Sequence, residues 1–98
     1  MPIDADDHFY ERADAHIHLS NDQLKDEEQG KVSASMMYSA ARFNAWLSAG
    51  GFPYGELMAE SRDEIIKYFV EQYRLALEEN IDDYINNFDS YMGVKKND

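Results

Sequence analysis

The run VSASMMYSAARFNAWLSA, from Val32 to Ala49, sets the architecture of this chain, and its one formal charge is Arg42. At 3.6 residues per turn, Val32, Met36, Phe43, Trp46 and Leu47 make a large apolar face. On the other side Ala34, Tyr38, Ala41, Ala45 and Ala49 recur at helical spacing. A helix that is apolar on two sides is a helix buried on two sides, and the alanines let a neighbouring helix come close. The spacing therefore predicts a central helix that begins at Lys31 or Ser33 and ends at Ala49.

The flanks supply its boundaries. Gly30 is a natural stop for whatever precedes it. After it comes Gly50-Gly51-Phe52-Pro53-Tyr54-Gly55. Gly50 or Gly51 suits a left-handed helix cap, Pro53 forbids continuation, and Phe52 and Tyr54 are expected to anchor the loop on the core. No Gly-Lys-Ser/Thr follows, so the glycines do not form a phosphate loop.

A first helix is expected from about Asp6 to Gln29. Phe9, Ala13, Ile17 and Leu24 share a face with His16 and Ser20, opposite Asp7, Glu11, Asp14, His18 and Lys25. Asp4, Asp6 and Asp7 favour its start through the helix dipole. Ser20-Asn21-Asp22-Gln23 reads as a capping box and predicts a break or kink there.

Beyond the loop, a short turn over Glu56–Glu60 leads to a second capping box, Ser61-Arg62-Asp63-Glu64. A third helical pattern follows to Tyr91. Its stripe is Ile66, Phe69, Val70, Tyr73, Leu77, Ile81, Tyr84, Phe88 and Tyr91. Its polar side carries Glu71, Glu78, Glu79, Asp82, Asn86 and Asp89. A straight helix from Arg62 to Tyr91 would be about 45 Å long, whereas a compact chain of this size is roughly 33 Å across. Either the helix breaks near Glu79–Asp83, with Asn80 as a cap, or its end packs on another chain. The expected fold is all-α: three main helices around a central apolar helix, the third kinked or split to give a fourth. The whole of 1–98 forms one domain, with flexible ends at 1–5 and 93–98.

Composition bounds the function. The 98 residues are 44% hydrophobic and contain no cysteine. Disulfide scaffolds, thiol nucleophiles and thiolate-bound zinc are excluded. A folded chain of this mass should expose roughly 5,800 Å², against roughly 16,500 Å² unfolded. The net charge of −11 opposes nucleic acid and anionic membrane as partners. It is unevenly spread: −7 over residues 1–29, +2 over 30–55 and −6 over 56–98. The acidic Met-Pro-Ile-Asp start is not a signal peptide, and residues 31–49 are too polar to span a membrane, which points to the cytoplasm.

Candidate chemistry is sparse. His16, on an apolar face, could meet Asn80 and Tyr84 from the third helix in an internal polar pocket and act as a general base or ligand. The competing reading is a core histidine satisfied by a tyrosine, an asparagine or a carbonyl. No catalytic motif accompanies it. Asp7, Glu11, Asp14 and His18 line one helix face, but over about 16 Å one metal ion reaches two of them at most. They read as a solvated face, and His8 and His18 as exposed. Tyr68 and Leu75 interrupt the acidic face of the third helix, as partner contacts or as isolated exposed side chains. Arg42 is placed to pair with an acid or to bind an anion. No cofactor is implied.

Several strings can be weighed together. They are Phe9-Tyr10-Glu11-Arg12-Ala13-Asp14, Gly30 to Ser35, Ala40 to Ala45, Tyr68 to Arg74 and Glu79 to Tyr84. The chain resembles a family of short, acidic bacterial proteins catalogued only as a domain of unknown function, over about residues 8 to 91. The resemblance implies a bacterial cytosolic protein and transfers no catalytic or binding residue.

Three functional readings follow. The leading one is a non-enzymatic interaction module that forms a homodimer. Its interface core is Ala34, Tyr38, Ala41 and Ala45, or the stretch of Tyr84, Phe88 and Tyr91. The second is a small-ligand binder or enzyme built on His16, Asn80 and Tyr84. The third is an acidic regulator that holds a basic protein partner through Glu71, Glu78, Asp82 and Asp89.

Overall fold

A computed structural model describes residues 6–94. Among these the chain forms five helices and no strand: α1 (Phe9–Gln23), α2 (Gln29–Ala49), α3 (Gly55–Glu60), α4 (Arg62–Asn86) and α5 (Phe88–Met92). The all-α architecture is as expected, with α1, α2 and α4 as its three main helices. The flexible ends expected at 1–5 and 93–98 fall outside the described residues, apart from Gly93 and Val94, as does the proposed role of Asp4.

The boundaries differ from expectation for local reasons. Helix α1 runs straight through Ser20-Asn21-Asp22-Gln23. The Ser20 hydroxyl donates back to the His16 carbonyl at 3.2 Å, so it is not free to cap a new turn. The helix ends at Gln23, and α2 starts at Gln29, so Gly30 lies inside the first turn of α2 and stops nothing. Asp26, Glu27 and Glu28 immediately precede that turn, where the dipole favours negative charge. Gly50 stays right-handed at φ −61°. The chain leaves α2 through successive tight bonds, Gly51 N–H to the Ser48 carbonyl at 3.0 Å and Phe52 N–H to the Ala49 carbonyl at 3.1 Å. Phe52 is half-buried there, but Tyr54 is exposed and does not anchor the loop.

Ser61 closes α3 and opens α4 at φ −100°, ψ 6°. A capping hydroxyl needs an extended residue. This near-helical one makes no side-chain cap, and only its carbonyl joins α4, accepting from Ile65 N–H at 3.0 Å. Helix α4 does not break at Glu79–Asp83. Asn80 donates its side-chain amide to the Ala76 carbonyl at 2.8 Å and stays inside the helix. The break comes at Asn87, whose φ of −122° separates α4 from α5.

Packing within the chain is slight. Helix α1 lies on α2, and α3 and α5 lie on α4. The molecule measures 63 × 31 × 25 Å, with a radius of gyration of 17.3 Å. A compact chain of this length would have a radius near ~13 Å, so the compactness assumed in weighing the length of the third helix does not hold. Val32 is the one buried apolar residue among those described, at 6% exposure. The face of α4 turned inward carries Ile65, Phe69 and Ala76, each half-buried. The longer stripe of Ile66, Val70, Tyr73, Leu77, Ile81 and Tyr84 is centred about 100° round the helix and is 44 to 60% exposed.

Candidate functional site

An open groove of about 750 Å³ runs along α2. Tyr38, Ser39, Arg42, Phe43, Ala45, Trp46 and Ala49 line it, with Met58 of α3 at one end. It lies between the alanine side of α2 and the Phe43–Trp46 side, whose rings are 5.7 Å apart. Small residues at Ala45 and Ala49 leave the groove open, and the bulky rings form one wall. Trp46 is 71% exposed and Tyr38 68%. The dryness expected on both sides of α2 is therefore not reached within one chain, because no element of the same chain covers the groove. Arg42 sits in it without an ion pair among the described residues.

Of the interface residues read from the sequence, Tyr38 and Ala45 line the groove, and Ala34 and Ala41 lie exposed on the adjoining side of α2. Tyr84, Phe88 and Tyr91 lie at the far end, also exposed. There the Tyr84 and Tyr91 rings are 4.8 Å apart. The Tyr91 hydroxyl donates to the Asp83 carboxylate at 3.1 Å, and Asn87 donates to Asp83 at 2.9 Å. The hydrogen bond to Asp83 raises the Tyr91 pKa, and the negative charge of Asp83 adds to it. Asp83 thus gathers the turn between α4 and α5. The sequence reading missed it, although its spacings to Asn87 and Tyr91 are those of one helical face.

The polar pocket does not form within one chain. His16 shares a face with Phe9, Ala13 and Ser20, but no element covers it and it is exposed. Asn80 bonds within its own helix, and Tyr84 contacts Tyr91. All three are exposed, so they seal no cavity. His8 and His18 are exposed as expected. No group of three or more His, Asp or Glu side chains among the described residues converges to hold a metal ion. No helix there is long and apolar enough to cross a membrane.

The acidic face of α4 is partly occupied by its own cation. Arg74 donates through Nε to Glu71 at 3.0 Å, through Nη2 to the same carboxylate, and through Nη1 to Glu78. The hydrogen bond from Arg74 holds the Glu71 carboxyl below the ordinary carboxylate range, with smaller help from the charges of Arg74 and Lys67, and Arg74 itself is shifted up. Two of the four carboxylates offered for a basic partner are already bridged. The spacing Glu71, Arg74, Glu78 made this pairing legible.

Comparison with known proteins gives a consistent picture. A family model described as "Protein of unknown function (DUF3144)" matches residues 9–85. Among solved structures, the chain is similar to the NMR structure of the protein NB7890A from Shewanella sp. The two share 37% sequence identity over 94% of this chain and 98% of that one, with a TM-score of 0.77. No curated protein matches.

Proposed function

Since the chain belongs to the DUF3144 family of proteins of unknown function, a membership that brings no activity with it, we propose that it is a non-enzymatic helical interaction module that self-associates as a homodimer. The observation that carries this reading is surface area. The chain exposes 8801 Å², against roughly 5,800 Å² for a folded monomer of its mass. The nine residues outside the described range can supply at most roughly 1,500 Å² of that difference. The remainder lies on a chain whose large exposed side chains include Trp46, Phe43, Tyr73, Ile81, Ile85 and Phe88.

An isolated chain gains little from leaving these groups in water. Burying apolar area is worth about 25 cal/mol per Å², and soluble monomers rarely expose contiguous apolar patches of more than a few hundred Å². An excess of this size on each of two chains falls in the range of obligate homodimers, roughly 2,000–5,000 Å² in total. Sedimentation equilibrium at tens of micromolar should give twice the chain mass. A single-chain mass at that concentration overturns the proposal.

A further inference from the structure

We infer that the second copy docks through unlike faces: the exposed stripe of α4 from one chain seats in the α2 groove of the other, and the two-fold repeat of that contact closes the dimer. This rests on the self-association proposed above and specifies its geometry. It also joins the two interface candidates, the alanine side of α2 and the Tyr84 end of α4, as the two halves of one contact.

Two observations favour unlike over like pairing. The first is length. Along α2 the groove runs about 17 Å from Tyr38 to Ala49, and the part of the stripe from Tyr73 to Tyr84 runs about the same length. The second is shape. The stripe presents Tyr73, Leu77 and Ile81 as a ridge, all three exposed in the single chain. The groove offers the small residues Ala45 and Ala49 beside Trp46, and small residues admit a helix at the 8–10 Å separation of packed helices.

A closed two-fold contact made this way leaves no open edge for further copies.

The test uses the full chain, half of it carbon-13 labelled and half unlabelled, with NMR restricted to contacts between the two. Contacts from the Trp46 indole to the Leu77 and Ile81 methyls across copies are expected. Ala45→Trp, which fills the groove, should weaken association by roughly tenfold or more, and Ala45→Ser should retain most of it. Ala45 is exposed in the single chain, so at concentrations that keep each variant dimeric its circular dichroism should match the parent. A dimer with intermolecular contacts only between like helices, or elsewhere, overturns the crossed pairing and leaves self-association standing. A monomer overturns both.

Discussion

Asp6 ties down the first turn of α1 with one short side chain. Its carboxylate accepts from His8 N–H at 2.9 Å and from both terminal nitrogens of Arg12 at 3.3 and 3.2 Å. The Arg12 hydrogen bond is the main reason its pKa falls below the ordinary 3.8, followed by the His8 amide. A carboxyl with a folded pKa below its unfolded one contributes fully above the unfolded value and loses that contribution as pH falls through the folded value. The start of α1 should therefore persist from neutral pH to below about pH 4 and loosen on further acidification. Amide shifts of His8 and Phe9 in an NMR titration would track it, and Asp6→Asn should abolish the transition. Glycines make a second contrast at this scale. Gly93 holds φ +70°, a conformation that costs an alanine roughly 1–2 kcal/mol. Gly30 is right-handed inside α2, with open space where a Cβ would lie. Gly93→Ala should destabilise by about 1 kcal/mol, and Gly30→Ala should stabilise by about 0.5 kcal/mol. Thermal melts that reverse the order would contradict these conformations.

At the level of elements, α5 exists because Asp83 holds it. Asn87 leaves the helical dihedrals at φ −122° while its backbone still bonds to Asp83 and Tyr91, and the Tyr91 hydroxyl reaches back over two turns to the Asp83 carboxylate. The Gly93 and Val94 amides then close the end on the Asp89 carbonyl. Tyr91→Phe should release the 5 residues of α5 while leaving α4 intact. Faster amide exchange confined to residues 88–92 would show this, and unchanged protection there would count against it. Helix existence was legible from periodicity alone, whereas the family resemblance rested on particular strings such as Phe9 to Asp14 and Tyr68 to Arg74. The break was placed wrongly because Asn80 and Asn87 are the same residue type. Both side-chain amides donate to the carbonyl four residues back, Asn80 to Ala76 and Asn87 to Asp83, so what sets Asn87 apart is its non-helical φ of −122° and its second bond, to the Asp83 carboxylate. Both capping boxes failed for a related reason: a serine caps only where the backbone is extended, and neither serine is.

For the whole molecule, the decisive quantity is the large area left uncovered on a 63 Å long chain. If a second copy covers it, folding and association are one equilibrium, and stability must follow protein concentration. For a dimer of two such chains, a tenfold rise in concentration should raise Tm by about 3–4 °C. A Tm constant over a hundredfold range would exclude coupled folding and binding. Little of the candidate site could be read at this scale from sequence. Tyr38, Ala45 and Trp46 were recognisable as apolar, but whether an apolar face meets its own chain or another is not a property of spacing. His16 shows the same limit: its helical phase put it on the covered side, yet it is exposed in the single chain.

The amino-acid order by itself determined the helices, their apolar stripes, the acidic ends around a nearly uncharged middle and the absence of thiol chemistry, because these follow from local periodicity and from counting charges. Tertiary structure alone decided that α2 and the main stripe of α4 remain uncovered in the single chain, and that Arg42 stands in an open groove. The physical reason is that burial depends on which surfaces meet, and three long helices joined by short links meet too little of one another to hide the apolar area they carry.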